Sequence, residues 1–104
     1  MYMNDKVNDI ILVNNKELRQ FETTIDGQVA WIEYNKMDDR VFLTHTEVPE
    51  QLNGRGVGSL LTKKTLEDIE NNKLKVVPAC SFVKSYIRKN PSYRRVLAPG
   101  IIVE

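Results

Sequence analysis

Two side chains in the 104-residue sequence stand out as candidates for covalent or proton-transfer chemistry, because the chain has one cysteine and one histidine. Cys80 follows a short apolar segment and precedes a predicted helix. A helix N-terminus, with Lys84 one turn further on, is an environment that would favour the thiolate form of the cysteine. The thiol could act as a nucleophile, line a pocket, or be a small buried hydrophobe. His45 is suited to exchange a proton near neutral pH, and Glu47 is an alternative base two residues on. Plain strand alternation places His45 and Glu47 on the same face as Leu43, and a purely structural His45 is the alternative.

A glycine-rich segment, LNGRGVGSLLTKK at residues 52–64, places three glycines at alternate positions just before a predicted helix. Such a turn leaves backbone N–H groups at a helix N-terminus, where the helix dipole favours an anion. The spacing fits neither the phosphate-binding loop G-x-x-x-x-G-K-S/T nor the dinucleotide fingerprint G-x-G-x-x-G. A loop with glycines for geometry alone is the alternative.

The acyl-CoA loop pattern Q/R-x-x-G-x-G/A does fit this segment, over residues 53–58. Asn53 then stands where the pattern has glutamine or arginine. Residues 51–56 are a second register, which restores the glutamine but starts the helix two residues earlier and places Gly58 inside its first turn. A glycine inside a helix costs up to ~1 kcal/mol, which favours the first register.

The elements that must position these residues follow from apolar periodicity and turn residues. Strands are predicted at residues 10–13, 17–24, 28–34 and 41–48, with a hairpin turn at Asp26-Gly27 and a polar turn at 35–40. Ala30, Ile32 and Tyr34 share one strand face. A helix follows Gly58 and ends at Asn71-Asn72. The remaining predictions are a strand at 74–77, a helix from a Ser81 N-cap to Lys89, and a strand or tail at 101–103.

The two helices have predicted apolar faces. Leu61, Leu66 and Ile69 form the arc of the first helix, and Phe82, Val83, Tyr86 and Ile87 form the stripe of the second. A strand, the glycine loop, a helix and a strand make a β-α-β unit, so strands 41–48 and 74–77 should be parallel.

Composition predicts a single domain over residues 1–104 in a cytoplasmic protein, with no membrane span or signal peptide. One histidine and one cysteine do not supply the usual zinc-ligand sets, so no metal site is predicted. Residues 71–104 hold seven lysines and arginines but only Glu104, a balance of +6 against −5 for residues 1–70. This basic third either contacts an anionic partner or is a solvated surface.

Several motifs in order resemble the small, single-domain branch of the GNAT superfamily of N-acetyltransferases. They are HTEVP at 45–49, the glycine loop at 54–61, VVPACSFV at 76–83, YI at 86–87 and NPSY at 90–93. The resemblance implies an α/β (α+β) minimal GNAT-like acyl-CoA N-acyltransferase fold. That fold has a mixed, mostly antiparallel sheet, a parallel splayed strand pair and two main helices.

The resemblance also implies a cofactor, acetyl-CoA, and residues that bind it. Backbone groups near Glu47 and Val48 would bind the pantetheine arm in the gap between the splayed strands. The loop that would bind the pyrophosphate comprises Asn53, Gly54, Arg55, Gly56, Val57, Gly58 and Ser59. Asn90 and Tyr93 would flank the adenine or the pantetheine, unless Tyr93 and Tyr86 are core residues. The cations that would reach the phosphates are Arg88, Lys89, Arg94 and Arg95.

Cys80 occupies the Pro-x-Cys position that the resemblance implies is in the active site, and His45 is the second candidate catalytic residue. The expected function is an N-acetyltransferase acting on an unidentified amine, either a small molecule or a protein amine. A non-catalytic CoA-binding module is the first alternative. Binding of nucleic acid or protein by the basic third is the second, and the sequence pI of 7.8 argues against it. No feature of the sequence specifies an acceptor pocket or an oligomeric state.

Overall fold

A computed structural model describes residues 6–104 of the chain. The strands are β1 Val13–Asn15, β2 Gln20–Ile25, β3 Gln28–Met37, β4 Arg40–Glu47 and β5 Lys75–Pro78, and the α-helices are α1 Val57–Asn71 and α2 Ser81–Lys89. Short 3-10 helices cover Glu50–Leu52 and Pro91–Val96.

The strands form one five-stranded sheet in the order β1-β2-β3-β4-β5. The first four strands are antiparallel neighbours, whereas β5 pairs with β4 in parallel through the α1 crossover. This confirms the predicted mixed, mostly antiparallel sheet with one parallel pair and two main helices.

The predicted hairpin at Asp26-Gly27 is confirmed, because Ile25 pairs with Gln28 across this two-residue turn. Asp26 and Gly27 have φ angles of 52° and 77°. Positive φ at both central residues matches the turn to the right-handed twist of the two strands.

The predicted first strand at residues 10–13 is wrong, since β1 begins only at Val13. Residues before it are bound to the glycine loop and to α1 instead of to a strand. The amide of Val7 donates to the carbonyl of Arg55 at 2.9 Å, and Asp9 pairs with Lys64 at 3.0 Å. Ile10 is buried in the core, so its apolar character serves packing outside the sheet.

The predicted polar turn at residues 35–40 is also too long, because β3 continues to Met37 and β4 starts at Arg40. Lys36 pairs with Val41, and the turn is limited to Asp38 and Asp39. The polar residues lie at an exposed end of the hairpin, where strand pairing needs no apolar side chains.

The core is built by α1 and the sheet face that the sequence predicted. Leu61, Leu66 and Ile69 are fully buried and belong to one cluster with Ala30 and Ile32. Burial of apolar side chains is the main favourable term in folding, so this contact holds α1 across the sheet.

The second helix differs from its prediction at two points. Its N-cap is Cys80 and not Ser81, and no side chain caps it. Val83 and Ile87 are buried as predicted, but Phe82 is 41% exposed. After α2 the chain returns to the sheet only through a parallel bridge of Leu97 with Val76, so residues 101–103 are a tail and not a strand.

Candidate functional site

The second half of β4 changes its pairing at a β-bulge. Tyr34 lies opposite Leu43, but the next residue back along β3, Glu33, lies opposite His45. Thr44 is therefore an extra residue on β4. A bulge reverses which face of the sheet the following side chains occupy relative to plain alternation.

The bulge overturns the prediction that His45 and Glu47 share the face of Leu43. His45 and Glu47 lie on the same face as each other. This face carries their cross-strand partners Glu33 and Trp31 and is opposite to the face of Leu43. The Nε2 atom of His45 lies 2.9 Å from Oε1 of Glu47, and these side chains are 53% and 49% exposed. The two residues thus form a hydrogen-bonded pair open to solvent.

The parallel pairing of β4 with β5 stops at Leu43 and Pro78, four residues before β4 ends. The last contact is the amide of Ala79, which donates to the carbonyl of Leu43 at 2.9 Å. Beyond this point β5 leads into α2, whereas β4 continues as residues 44–47. A gap therefore opens along this edge of β4, as the splayed strand pair predicts.

Cys80 lies at the start of that gap and is 8% exposed. A hydrogen bond of 3.2 Å joins its Sγ to Oγ1 of Thr46. Thr46 lies opposite Ile32 and therefore on the core face of β4, away from His45. The structure consequently brings Cys80 to Thr46 and places the pair His45–Glu47 on the other face of the sheet.

The three glycines of the loop have two different structural roles. Gly54 and Gly56 adopt φ angles of 78° and 80°, a left-handed conformation that glycine reaches without steric cost. Gly58 is helical and buried, and a Cβ there would lie 2.7 Å from Cζ of Phe82. Gly58 thus allows the Phe82 ring to lie against the first turn of α1.

Helix α1 begins at Val57 with Gly56 as its N-cap, so Gly58 is inside the first turn. The reason for preferring the first register of the acyl-CoA pattern is therefore wrong. Asn53 nevertheless lines a groove together with the glycines, as that register requires. Among the described residues no side chain caps α1, and its first turn holds no acidic residue, so its N-terminal amides keep a favourable environment for an anion.

Two grooves meet at this helix N-terminus. The loop groove, of about 220 Å³, is lined by Val48, Asn53, the loop glycines and Phe82. The helix groove, of about 420 Å³, is lined by Tyr86, Lys89 and Asn90. Ser59 and Phe82 line both, so the grooves form one continuous depression from the end of β4 to the end of α2.

Most of the predicted cofactor residues line this depression. They are Val48, Asn53, Gly54, Gly56, Val57, Gly58, Ser59, Lys89 and Asn90. The side chains of Arg55 and Glu47 are engaged elsewhere, with Asp26 at 2.8 Å and with His45. Sequence reasoning missed Phe82 as a groove wall and Thr46 as the partner of Cys80. The closeness of Phe82 to a glycine in the facing helix has no sequence signal.

Tyr93 is not brought to the depression but is buried beside α1. Its hydroxyl donates to Oε2 of Glu67 at 3.0 Å. Burial, and then this hydrogen bond to a carboxylate, raise the pKa of Tyr93 to about 12. Burial also raises the pKa of Tyr86. The ring centroids of Tyr86 and Tyr93 are 5.7 Å apart, and Tyr86 also lines the helix groove.

Three of the four cations predicted to bind the cofactor phosphates form hydrogen bonds to other residues of the protein. Arg95 donates to Glu70 at 3.0 Å and lowers the pKa of that carboxyl. Arg94 donates to the carbonyl of Val103 at 3.1 Å. Arg88 donates to the carbonyl of Glu104. Lys89 is the member of this set that lines the helix groove.

No helix within residues 6–104 has the length and apolar character to cross a membrane. Over the same residues, no group of three or more His, Cys, Asp or Glu side chains is placed to hold a metal ion.

The comparisons with known proteins agree on one family. The family model described as GCN5-related N-acetyl-transferase matches residues 20–96. Protein NATD1 of Mus musculus is 31% identical over 81 residues, covering 75% of this chain and 74% of the mouse protein. Protein NATD1 of Xenopus tropicalis is 29% identical over 90 residues, covering 84% and 83% of the two chains.

A solved structure has the same architecture. The solution structure of a GCN5-like protein from Staphylococcus aureus superposes with a TM-score of 0.65 and is 29% identical in sequence. The match covers 88% of this chain and 91% of that chain.

Proposed function

The chain belongs to the GCN5-related N-acetyltransferase family, and we propose that it binds acetyl-CoA in the continuous depression and transfers the acetyl group to an amine. The observation that carries the proposal is the N-terminus of α1, which has no side-chain cap and opens onto both grooves. A phosphate group is the ligand that such a helix end favours.

The residues of the depression fit the pyrophosphate and the adenosine side of this cofactor. The amides of Val57, Gly58 and Ser59 are the first in α1 and would bind the phosphate oxygens. Gly56 presents no side chain there, so the oxygens can approach the backbone closely. Lys89 adds a positive charge and Asn90 an amide at the far end of the helix groove.

The edge of β4 beyond Leu43 fits the pantetheine arm. Residues 44–47 have no strand partner on the β5 side, so their backbone groups on that side can bond to a ligand. The arm would then run from Val48, which lines the loop groove, toward Thr46 and Cys80. Acetyl-CoA would supply an acetyl group already activated as a thioester.

The amine proton has an acceptor in the His45–Glu47 pair on the other face of β4. We assign His45 the role of base, because its Nε2 is 2.9 Å from a Glu47 oxygen that would stabilise the imidazolium. In this proposal the amine would reach the acetyl group from this exposed face, past the unpaired edge of β4. Glu47 thus orients His45 and balances its charge.

Cys80 is assigned to the wall of the site and not to a covalent step. A nucleophilic thiol needs a general base or a nearby cation within hydrogen-bond reach. Among the described residues, the hydrogen-bond partner of its Sγ is the Thr46 hydroxyl, which is neither. This contact supports direct transfer from acetyl-CoA to the amine.

The decisive experiment combines binding, turnover and intact mass. Acetyl-CoA should bind to the wild type in calorimetry, and release of CoA thiol should depend on an added amine from a panel. Cys80→Ala should keep most of the turnover, whereas His45→Ala should lose about 100-fold or more at neutral pH. Absence of binding at millimolar acetyl-CoA would reject the function.

Two further outcomes separate the alternatives. A protein mass increase by one acetyl group in the wild type, lost together with turnover in Cys80→Ala, would establish the covalent route instead. Tight binding without turnover on any amine of the panel would identify a CoA-binding module without catalysis.

A further inference from the structure

A large cavity lies away from the acetyl-CoA depression. It has a volume of about 790 Å³, within the range of small-molecule sites, and lies between the sheet and the C-terminal end of α1. It shares no lining residue with the loop groove or the helix groove. It is therefore a separate place at which a ligand could bind, at the opposite end of the same helix.

The floor of this cavity is apolar. Phe21, Val41 and Ile69 line it and are themselves buried in the core, and Leu74 adds a half-buried aliphatic side chain. An apolar group placed on this floor would be removed from water, which favours binding.

The rim of the cavity is basic. Lys16, Arg19 and Lys36 line it, against a single carboxylate, Asp68, so three cations less one anion give a net charge of +2. Among residues 6–104, Lys36 donates to the backbone carbonyl of Asp38 at 2.9 Å and forms no ion pair. Among the described residues, neither Lys16 nor Arg19 forms a side-chain ion pair. The net charge of the lining residues therefore favours an anion.

The rim also offers an oriented amide donor. The hydroxyl of Tyr34 donates to Oδ1 of Asn14 at 2.8 Å, so the Nδ2 group of Asn14 remains to donate. The amide of Tyr34 donates to the carbonyl of Arg19 at 2.9 Å, which fixes the β1–β2 turn beside β3. An amide donor beside cationic side chains favours an anion over a cation at this opening.

We propose that this cavity is a second ligand site, for a small organic anion. Its apolar body would lie on the Phe21–Ile69 floor, and its carboxylate or phosphate would bind to Arg19, Lys36 and the Asn14 amide. The proposal does not depend on acetyl transfer, because the site is separate from the depression at the other end of α1.

Arg19 allows a test that should leave the fold intact. Its φ angle is 54°, a left-handed conformation that glycine adopts more readily than arginine. Arg19→Gly therefore removes the cation while relieving the backbone. Lys63→Glu is the matched control, because Lys63 is an exposed cation on α1 that lines neither this cavity nor either groove.

The experiment titrates naphthoate and, separately, phenyl phosphate into isotope-labelled protein while backbone amide resonances are recorded. Saturable shifts at Asn14, Lys36 and Asn72, about fivefold weaker in Arg19→Gly and unchanged in Lys63→Glu, would support the site. The relative affinity of the two probes distinguishes a carboxylate ligand from a phosphate ligand.

Three results would overturn the proposal. One is equal binding of the uncharged analogue naphthalene methanol, and another is equal binding of inorganic phosphate alone. The third is an absence of shifts at these residues, or shifts confined to residues 54–59. Lys36→Gln provides a second loss-of-charge variant in case Arg19→Gly changes the turn.

Discussion

The two ends of helix α1 are built in opposite ways. At the N-terminal end Gly56 caps the helix without a side chain, and the first turn opens onto two grooves. At the C-terminal end the amide side chain of Asn72 donates to the carbonyl of Asp68 at 2.8 Å. In the same half of the helix Glu67 and Glu70 accept hydrogen bonds from Tyr93 and Arg95.

This difference separates residues that hold the fold from residues left for a ligand. Backbone and charged groups rarely go without a partner in a native structure. Where the protein supplies the partners, as at Glu67 and Glu70, a substitution should change stability. Where it does not, as at the first turn of α1, a substitution should change binding.

The largest effect is expected from Gly56→Val. A β-branched residue at a φ of 80° strains the loop by about 1–3 kcal/mol, and it turns the first amides of α1 away from the depression. Calorimetry should give acetyl-CoA binding weakened by about 10- to 100-fold. Gly100→Val is the matched control, with a φ of 86° and no groove contact, and should bind normally. Equal losses in both variants would show that strain alone weakens binding.

A smaller effect on binding is expected from Lys89→Ala. Removing one exposed cation from the helix groove should weaken acetyl-CoA binding by about two- to fivefold and reduce its salt dependence. Arg88→Ala removes the adjacent cation, whose partner is the Glu104 carbonyl, and should leave binding unchanged. A larger loss in Arg88→Ala than in Lys89→Ala would contradict the assignment of the groove.

Tyr93→Phe removes a contact to the C-terminal half of α1 and should leave acetyl-CoA binding unchanged. Loss of the hydrogen bond to Glu67 should lower the free energy of unfolding by about 1 kcal/mol in urea titrations. A changed affinity for acetyl-CoA would show that Tyr93 contributes to the cofactor site, as predicted from the sequence.

The same tyrosine should make the stability of the protein depend on pH in the alkaline range. Because the pKa of Tyr93 is raised to about 12 from 10.0, its stabilisation is complete below pH 10 and is lost as the pH rises toward 12. Near-ultraviolet absorbance should show a phenol ionisation near pH 12 that is missing in Tyr93→Phe. Ionisation of every tyrosine near pH 10 would contradict the burial of this side chain.

The smallest effect is expected from Arg95→Gln, which breaks the exposed pair with Glu70. Arg95 lowers the pKa of Glu70 below its ordinary 4.5, so the pair stabilises the fold above that pH and less as the pH falls below it. Urea titrations should give a slightly less stable variant at neutral pH and no difference in acid. A stability difference that persists at low pH would mean that Arg95 acts through packing on Tyr93 instead.

The sheet, the helices and the glycine loop follow from local patterns. The Asp26-Gly27 turn fixes one hairpin, and the spacing of Leu61, Leu66 and Ile69 identifies the buried face of α1. These features were predictable because turn conformation and helical period depend on neighbouring residues only.

The faces of the site residues were not predictable in the same way. The bulge at Thr44 depends on how β4 pairs with β3, and the polar run from Thr44 to Glu47 carries no alternation that would reveal it. Contacts such as Tyr93 with Glu67 join residues 26 positions apart in the chain. Tyr93 was predicted to lie near the cofactor because it belongs to the NPSY motif. A motif specifies the order of residues along the chain and does not specify which of them meet in space.

The most direct test of the open helix end is an acetyl-CoA titration followed by the backbone amide resonances of isotope-labelled protein. We expect the largest shifts at Val57, Gly58 and Ser59, with smaller ones at Lys89 and Asn90. We expect none at Asn72, at the opposite end of the same helix. Shifts centred on Asn72 and the basic rim, with the first turn of α1 unchanged, would contradict this expectation.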